Sequence, residues 1–101
     1  MLETFTLATF TPLVGTDFVV TVADGDSLKL SLSSAASLSR VGGIPAGYAR
    51  EPFSLIFQGP REPILPQRTY AFRHAELGAF ELFVVPIQPE KDRACYEVIF
   101  T

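Results

Sequence analysis

Hydrophobic and polar residues alternate along most of this chain with a period of two, which is the period of a β-strand with one buried face. The alternating stretch FVVTVA at 18–23 is followed by an Asp-Gly turn at Asp24–Gly25 and then by LKLSLS at 28–33. An Asp-Gly pair between two alternating runs favours a two-stranded hairpin. We therefore predict a first hairpin whose leucines share the buried face.

Four further segments alternate in the same way, at 51–57, 68–74, 79–87 and 95–101. The stretch between the first hairpin and these segments is rich in serine, glycine and proline and is predicted as a long connection. Its first part, up to Ser37, is expected to extend the second strand along an exposed edge. Pro86 cannot donate a hydrogen bond to a neighbouring strand, so the strand there lies at an edge, bulges or stops.

One short helical turn is predicted near the N-terminus, where Phe10 and Leu13 have helical spacing. Thr11 would cap it, Pro12 would occupy its first position and Gly15 would end it. The chain of 101 residues has the size of one domain. The prediction is an all-β, single-domain fold over 1–101, an antiparallel β-sandwich or partly open barrel of about six strands.

The composition adds a hint about the surface. Hydrophobic residues make up 48% of the chain and charged residues only 19%, and the mean hydropathy is +0.28. A small domain has a large surface to cover, so some apolar surface is expected to stay exposed, and exposed apolar patches mark interfaces.

Charge and cysteine usage narrow the partners and the compartment. A net charge of −3 with 8 Lys and Arg argues against nucleic acid, which needs a basic patch. No apolar run approaches the ~20 residues that span a bilayer, and the N-terminal stretch lacks the basic start of a signal peptide. A single cysteine excludes an internal disulfide, so a cytoplasmic location is expected.

Candidate chemistry is sparse. His74 is the one histidine and Cys95 the one cysteine, and catalysis would require a nucleophile such as Ser54 or Cys95 to meet His74 beside a carboxylate. The segment Asp24–Asp26 resembles part of a calcium loop but occupies the predicted turn. With so few ligands a zinc site is not expected either. We predict no catalytic, cofactor or metal site; hydrolase or thiol chemistry at His74 and Cys95 is the least favoured alternative.

The aromatic residues allow a further alternative. Nine Phe and three Tyr lie in phase on successive strands, which a packed core requires. The same rings could line a barrel cavity that binds a small apolar ligand. We favour the packed core, because only larger barrels leave such a space.

The leading hypothesis is a non-enzymatic interaction module that binds a protein partner or a second copy of itself. Addition of a partner strand at the serine-rich edge around Ser31–Ser37 would be the mechanism. The residues predicted to lie at the interface are Ser31, Ser33, Phe83, Val85, Cys95, Glu97 and Ile99.

The segments EPFSLIFQGP, LPQRTYAFRHAELGAFELFVVPIQP and YEVIF resemble a family of small bacterial all-β proteins known only as a domain of unknown function. The likeness covers residues 50–101, with a weaker match at FTPLVGTDF, and departs where Thr101 replaces the family's usual final asparagine. Members are often encoded beside phage tail-collar or tail-fibre-like proteins. The resemblance therefore implies association with such an assembly, and it supplies no catalytic residues.

Overall fold

Six antiparallel strands form one closed barrel in the computed structural model, which describes residues 2–23, 25–40 and 42–101. The strands are β1 (Asp17–Thr21), β2 (Ser27–Ser37), β3 (Phe53–Pro60), β4 (Arg68–His74), β5 (Gly78–Glu90) and β6 (Arg93–Phe100). Their order around the barrel is β1-β2-β3-β6-β5-β4, and β4 pairs with β1 to close it. The predicted all-β fold of about six strands is confirmed, and the barrel is closed, where a β-sandwich or a partly open barrel was expected.

The N-terminal helical segment begins earlier than predicted. A 3-10 turn at Leu2–Thr4 precedes α1 (Leu7–Phe10), and a second 3-10 turn spans Thr11–Leu13. The prediction that Thr11 caps the helix is wrong, because Thr6 occupies that position and Thr11 follows α1, where its hydroxyl donates to the Leu7 carbonyl at 2.9 Å. The short helical turn itself is confirmed.

Aromatic rings fill the barrel, because alternate residues of every strand point inward. Phe18 and Phe57 contact each other across the interior with ring centroids 5.2 Å apart, and Phe57 lies 5.5 Å from Phe72. Phe10 enters from α1 and packs on Phe100 at 5.5 Å. These five phenylalanines, whose buried rings lie next to one another, make the packed core that the alternation predicts.

β2 has two neighbouring strands, but they pair with different parts of it. It pairs with β1 along Ser27–Ser31 and with β3 along Ser31–Ser37, with a register shift between Leu32 and Ser34. Ser31 therefore has a ladder partner on each side, and Ser33–Ser37 forms a ladder with β3 alone among the described strands. The serine-rich part of β2 thus extends the strand with one unpaired edge, as the sequence predicts, although closure of the barrel gives the strand as a whole two neighbours.

β5 changes partner halfway along its length. Its first half, Gly78–Val84, pairs with β4, and its second half, from Val85 to Glu90, pairs with β6. Pro86 lies just after the change, opposite Tyr96, where β5 borders β6 alone. The strand does not stop at Pro86; its register shifts between Ile87 and Glu90, so the predicted bulge lies directly beyond the proline.

Arg50, at the end of the connection between β2 and β3, holds the two ends of the described chain. Its guanidinium donates to the carbonyls of Leu2 at 2.6 Å, Phe5 at 2.7 Å and Thr101 at 3.2 Å. It also lies over the Phe100 ring, 5.0 Å from the centroid. Among the described residues, no helix has the length and apolar character needed to cross a membrane.

Candidate interaction surface

The outward-facing residues of four neighbouring strands, β2, β3, β6 and β5, form three rows across the barrel. The strand registers give a first row of Ser31, Gln58, Cys95 and Ile87, a second of Ser34, Ile56, Glu97 and Val85, and a third of Ala36, Ser54 and Ile99, which Phe83 of β5 extends. We call these twelve residues the outer wall. Glu97 is the one charged residue in this set, so the wall is a nearly uncharged surface.

Two large apolar side chains stand out from the outer wall. Phe83 is 51% exposed and Ile99 is 55% exposed, and each lies two residues beyond Val85 and Glu97, the last pair of the β5–β6 ladder. Ile87 continues the apolar surface, while Val85 and Ile56 are half-buried within it. The fold thus brings the predicted residues Phe83, Val85 and Ile99 together on one face.

Cys95 belongs to the first row but is only 4% exposed. It pairs with Gln58 on one side and with Ile87 on the other. The Gln58 amide donates to the Glu90 carboxylate, and because β6 lies between β3 and β5, this bond crosses β6 beside Cys95. The expectation that Cys95 is an accessible interface residue is therefore wrong, and it is buried as a small hydrophobic side chain.

The two predicted serines are placed differently from each other. Ser31 is half-buried in the first row and lines an open polar groove of about 380 Å³ with Asp17, Lys29 and Arg93. Ser33 is exposed at the register shift of β2. Ser33 therefore lies outside the three rows, and Ser31 lies at the polar margin of the outer wall.

Glu97 is half-buried at the centre of the outer wall. Ile56 and Val85 are its register partners on the two neighbouring strands, and Cys95 and Ile99 flank it along β6. Its side chain makes no hydrogen bond or ion pair with any residue that the structure describes. A carboxylate surrounded by four apolar side chains and lacking a partner within the chain depends on water for its solvation.

A groove opens where β5 and β6 separate. The ladder between them ends at Val85 and Glu97, and past this pair a groove of about 220 Å³ lies between Glu81–Phe83 on β5 and Val98–Thr101 on β6. Leu2 and Arg50 also line it. In the described structure, Glu81–Val84 of β5 pairs only with β4 and Val98–Phe100 of β6 only with β3. Two strand edges therefore face each other across the groove.

His74 is buried in the barrel end, and other residues use both its ring nitrogens. Nδ1 accepts the Glu76 backbone N–H at 3.0 Å. Nε2 lies 3.0 Å from the Thr16 hydroxyl, which itself donates to the Leu13 carbonyl at 2.7 Å. This network assigns the proton to Nε2, which donates to Thr16. The imidazole thus ties β4 to the segment before β1.

The fold does not bring His74 and Cys95 together. Their partners on β5, Gly78 and Ile87, are nine residues apart, which is about 30 Å of strand. Ser54, the other nucleophile considered, lies on β3, which does not neighbour β4.

Tyr96, next to Glu97 on β6, points into the core. Its hydroxyl accepts the Leu65 backbone N–H at 2.9 Å. Burial raises the pKa of the Tyr96 phenol above its ordinary value, and the hydrogen bond from Leu65 opposes that shift. The neutral phenol therefore lies in the core and is not part of the outer wall.

The predicted turn at Asp24–Asp26 falls partly outside the described residues, since Asp24 is one of those that are not described. On either side of it, the Val22 N–H donates to the Asp26 carbonyl at 2.8 Å, and Gly25 has a φ of 81°. The described residues contain no group of three or more His, Cys, Asp or Glu side chains that could hold a metal ion.

Sequence reasoning missed Ile56, Ile87 and the groove. The uninterrupted run Leu55–Phe57 was a usable signal for Ile56, because three consecutive apolar residues place one of them on the outer face of a strand. Ile87 follows Pro86, where the alternation is broken. The groove depends on which strands pair over long separations, and no local pattern reports that.

A family model described as "Domain of unknown function (DUF6916)" matches residues 5–100 of the chain. Comparison with curated proteins finds no match. Comparison with solved structures finds none either.

Proposed function

The chain belongs to the DUF6916 family, a domain of unknown function, and from its own surface we propose that it is a non-enzymatic module that binds another protein through the outer wall. One observation carries the proposal. Phe83 and Ile99 are each more than half exposed and lie side by side in a wall with a single charge. An apolar surface with few charges is characteristic of protein interfaces.

The surroundings of the two reactive residues support a non-enzymatic role. Both nitrogens of His74 are taken by Thr16 and Glu76, so neither is directed at a substrate. Cys95 is buried beneath its neighbours and far from His74 along the barrel. A nucleophilic site needs a base and a nucleophile within hydrogen-bond reach.

The packing of the interior favours this proposal over binding of a small apolar ligand. Phe10, Phe18, Phe57 and Phe72 are buried and contact their neighbours edge-on or face-on. A ligand would have to displace these rings from the space that they occupy, and each buried ring stabilises the barrel by several kcal/mol, roughly 3–5.

The mechanism proposed for binding remains strand addition, and we propose the groove as its place instead of the Ser31–Ser37 edge. The groove leaves the edges of β5 and β6 facing each other beside Phe83 and Ile99, whereas the one-sided part of β2, Ser33–Ser37, carries no large apolar side chain. A tail-fibre-like protein is the candidate partner, and it rests on the family resemblance alone. A cytoplasmic location is likewise proposed, and the single free thiol is compatible with it.

Size-exclusion chromatography with light scattering tests the proposal, using the protein alone and mixed with proteins encoded beside its gene. We expect a complex that the double variant Phe83→Ser/Ile99→Ser abolishes. Ile44→Ser is the matched control, because Ile44 is 61% exposed but lies in the connection between β2 and β3, away from the wall. A protein that stays monomeric and binds nothing, or a complex that the double variant leaves intact, would refute the proposal.

A further inference from the structure

We propose that the partner enters the groove as an extended polypeptide segment and places a Lys or Arg side chain on Glu97. This inference rests on the function proposed above and adds the chemistry of the ligand. It is drawn from the two strand edges, the lone carboxylate and the relative position of the two.

The groove presents backbone to its occupant. Val98–Phe100 of β6 and Glu81–Val84 of β5 each have one side that pairs with no described strand. Only an extended chain supplies N–H and C=O groups at the spacing that such edges require. A polypeptide segment therefore fits this groove better than a small molecule does.

Glu97 sets the charge of that segment. Any partner that covers the outer wall removes water from a carboxylate that has no partner among the described residues. Burying such a charge without compensation is strongly unfavourable. A cationic side chain removes that penalty and forms a charge-assisted hydrogen bond, so the wall selects for a basic residue.

A second copy of this chain fits the wall poorly. In a symmetric dimer the same surface patch serves both protomers, so a dimer centred on the wall would bring two Glu97 carboxylates together. Like charges facing each other across an interface are strongly unfavourable. The geometry thus points to a different protein as the partner.

The register of β6 predicts the pattern of the bound segment. Glu97 lies at the closed end of the groove and Ile99 two residues further along the same face. Val85 of β5 occupies the position opposite Glu97, so the segment pairs with β6 at Ile99. Its next residue on the same face, two positions along the segment, then lies over Val85 beside Glu97, since alternate residues share a face. We expect an apolar residue against Ile99 and Phe83, and a Lys or Arg two positions away against Glu97.

A displayed library of random twelve-residue peptides tests this inference directly. Selection on the immobilised protein should enrich sequences with an apolar residue two positions from a Lys or Arg. A synthetic peptide of the enriched sequence is then titrated by fluorescence anisotropy against the wild type, Glu97→Gln and Glu62→Gln. Glu62 is the matched control because it is an exposed acid in the loop between β3 and β4 and lines neither the groove nor the outer wall.

We expect Glu97→Gln to weaken binding about tenfold, equivalent to about 1.4 kcal/mol, and to reduce the sensitivity of binding to salt. Glu62→Gln should bind like the wild type. Circular dichroism and thermal unfolding of each variant establish that the fold is intact, which the isosteric change to glutamine favours.

Two results would overturn the inference and leave the proposed function standing. One is an enriched peptide whose binding requires Phe83 but is unchanged in Glu97→Gln. The other is no enrichment, while chromatography still shows a complex that Phe83→Ser/Ile99→Ser abolishes. If chromatography shows no such complex either, the proposed function fails as well.

Discussion

Tyr96 connects the barrel core to the loop between β3 and β4 through one hydrogen bond. Its hydroxyl accepts the N–H of Leu65, and both residues are buried. Tyr96→Phe removes the hydroxyl that accepts this bond, so the buried Leu65 N–H loses its acceptor on Tyr96. We expect the free energy of unfolding to fall by about 1–3 kcal/mol, measured by urea denaturation.

Tyr48→Phe is the control for this change, because Tyr48 is 45% exposed and its hydroxyl is open to water. The control should lie within about 0.5 kcal/mol of the wild type. Equal stabilities of the two variants would show that the Leu65 bond contributes nothing measurable.

The raised pKa of Tyr96 predicts a loss of stability in alkali. Below pH ~10 the phenol is protonated in both the folded and the unfolded chain. As the pH rises through this value, the unfolded chain releases the proton first, because burial holds the folded-state pKa higher. Linkage therefore lowers the free energy of unfolding from about pH 10 upward.

Urea denaturation between pH 8 and pH 11 measures this effect. The difference in the free energy of unfolding between the wild type and Tyr96→Phe should shrink as the pH rises, since the variant has no phenol to ionise at this position. A difference that stays constant from pH 8 to pH 11 would mean that burial does not raise the pKa of Tyr96.

The burial of Cys95 predicts low reactivity of its thiol. In native buffer, dithionitrobenzoate should label it slowly, at a rate set by opening of the barrel, and in denaturant at once. A Thr69→Cys variant supplies the comparison, since Thr69 is exposed on β4, and its added thiol should react promptly. Equally fast labelling of both thiols would contradict the burial.

At the scale of the element, β3 needs a glycine near its end. A Cβ atom on Gly59 would overlap Cδ2 of Leu30 on β2, and Leu30 is fully buried. Overpacking of this kind costs about 1–3 kcal/mol, so Gly59→Ala should lower the free energy of unfolding by that amount in urea denaturation.

A double variant isolates the cause. Leu30→Ala alone creates a cavity and costs about 2–5 kcal/mol, and Gly59→Ala then meets no clash. The combined cost should be clearly smaller than the sum of the two single costs. If the two costs simply add, the cost of Gly59→Ala does not come from its contact with Leu30.

The existence of each strand could be predicted from the sequence, because alternation is a local property. β4 was predicted at its observed bounds, and β2 was predicted to extend to Ser37. The start of α1 was not predicted, since the Thr11-Pro12 pair carries a stronger local signal than Thr6. The change of partner in β5 was also beyond reach, because pairing is decided by the whole barrel.

The same distinction holds for the candidate site. Alternation placed Phe83, Val85, Glu97 and Ile99 on one face, since each lies in outward phase on its strand. It placed Cys95 there too and could not reveal its burial. That burial comes with a bond between Gln58 and Glu90, residues 32 positions apart in the sequence.

At the scale of the whole molecule, Arg50 joins three distant parts of the chain. Its guanidinium donates hydrogen bonds to the carbonyls of Leu2, Phe5 and Thr101. A lysine ammonium cannot reproduce several directed bonds from one planar group. We expect Arg50→Lys to lower the free energy of unfolding by about 1–2 kcal/mol, with a matching drop in the thermal midpoint measured by calorimetry.

Arg40→Lys is the matched control, since Arg40 is exposed in the same connection. It should leave the midpoint unchanged. A loss of stability in Arg40→Lys as large as in Arg50→Lys would show that the connection, and not the guanidinium of Arg50, is responsible.

The divided pairing of β5 has a consequence for the selectivity of the groove. The ladder with β4 uses Gly78–Val84 and the ladder with β6 begins at Val85, so the two share no residue. The first half of β5 can therefore move away from the end of β6, which widens the groove, without breaking a pair in either ladder. A groove of adjustable width discriminates weakly between side chains of different bulk. The charge of the Glu97 carboxylate at the closed end, in contrast, is fixed. Ligands recognised by this groove would therefore differ in the size of their side chains but share a basic residue.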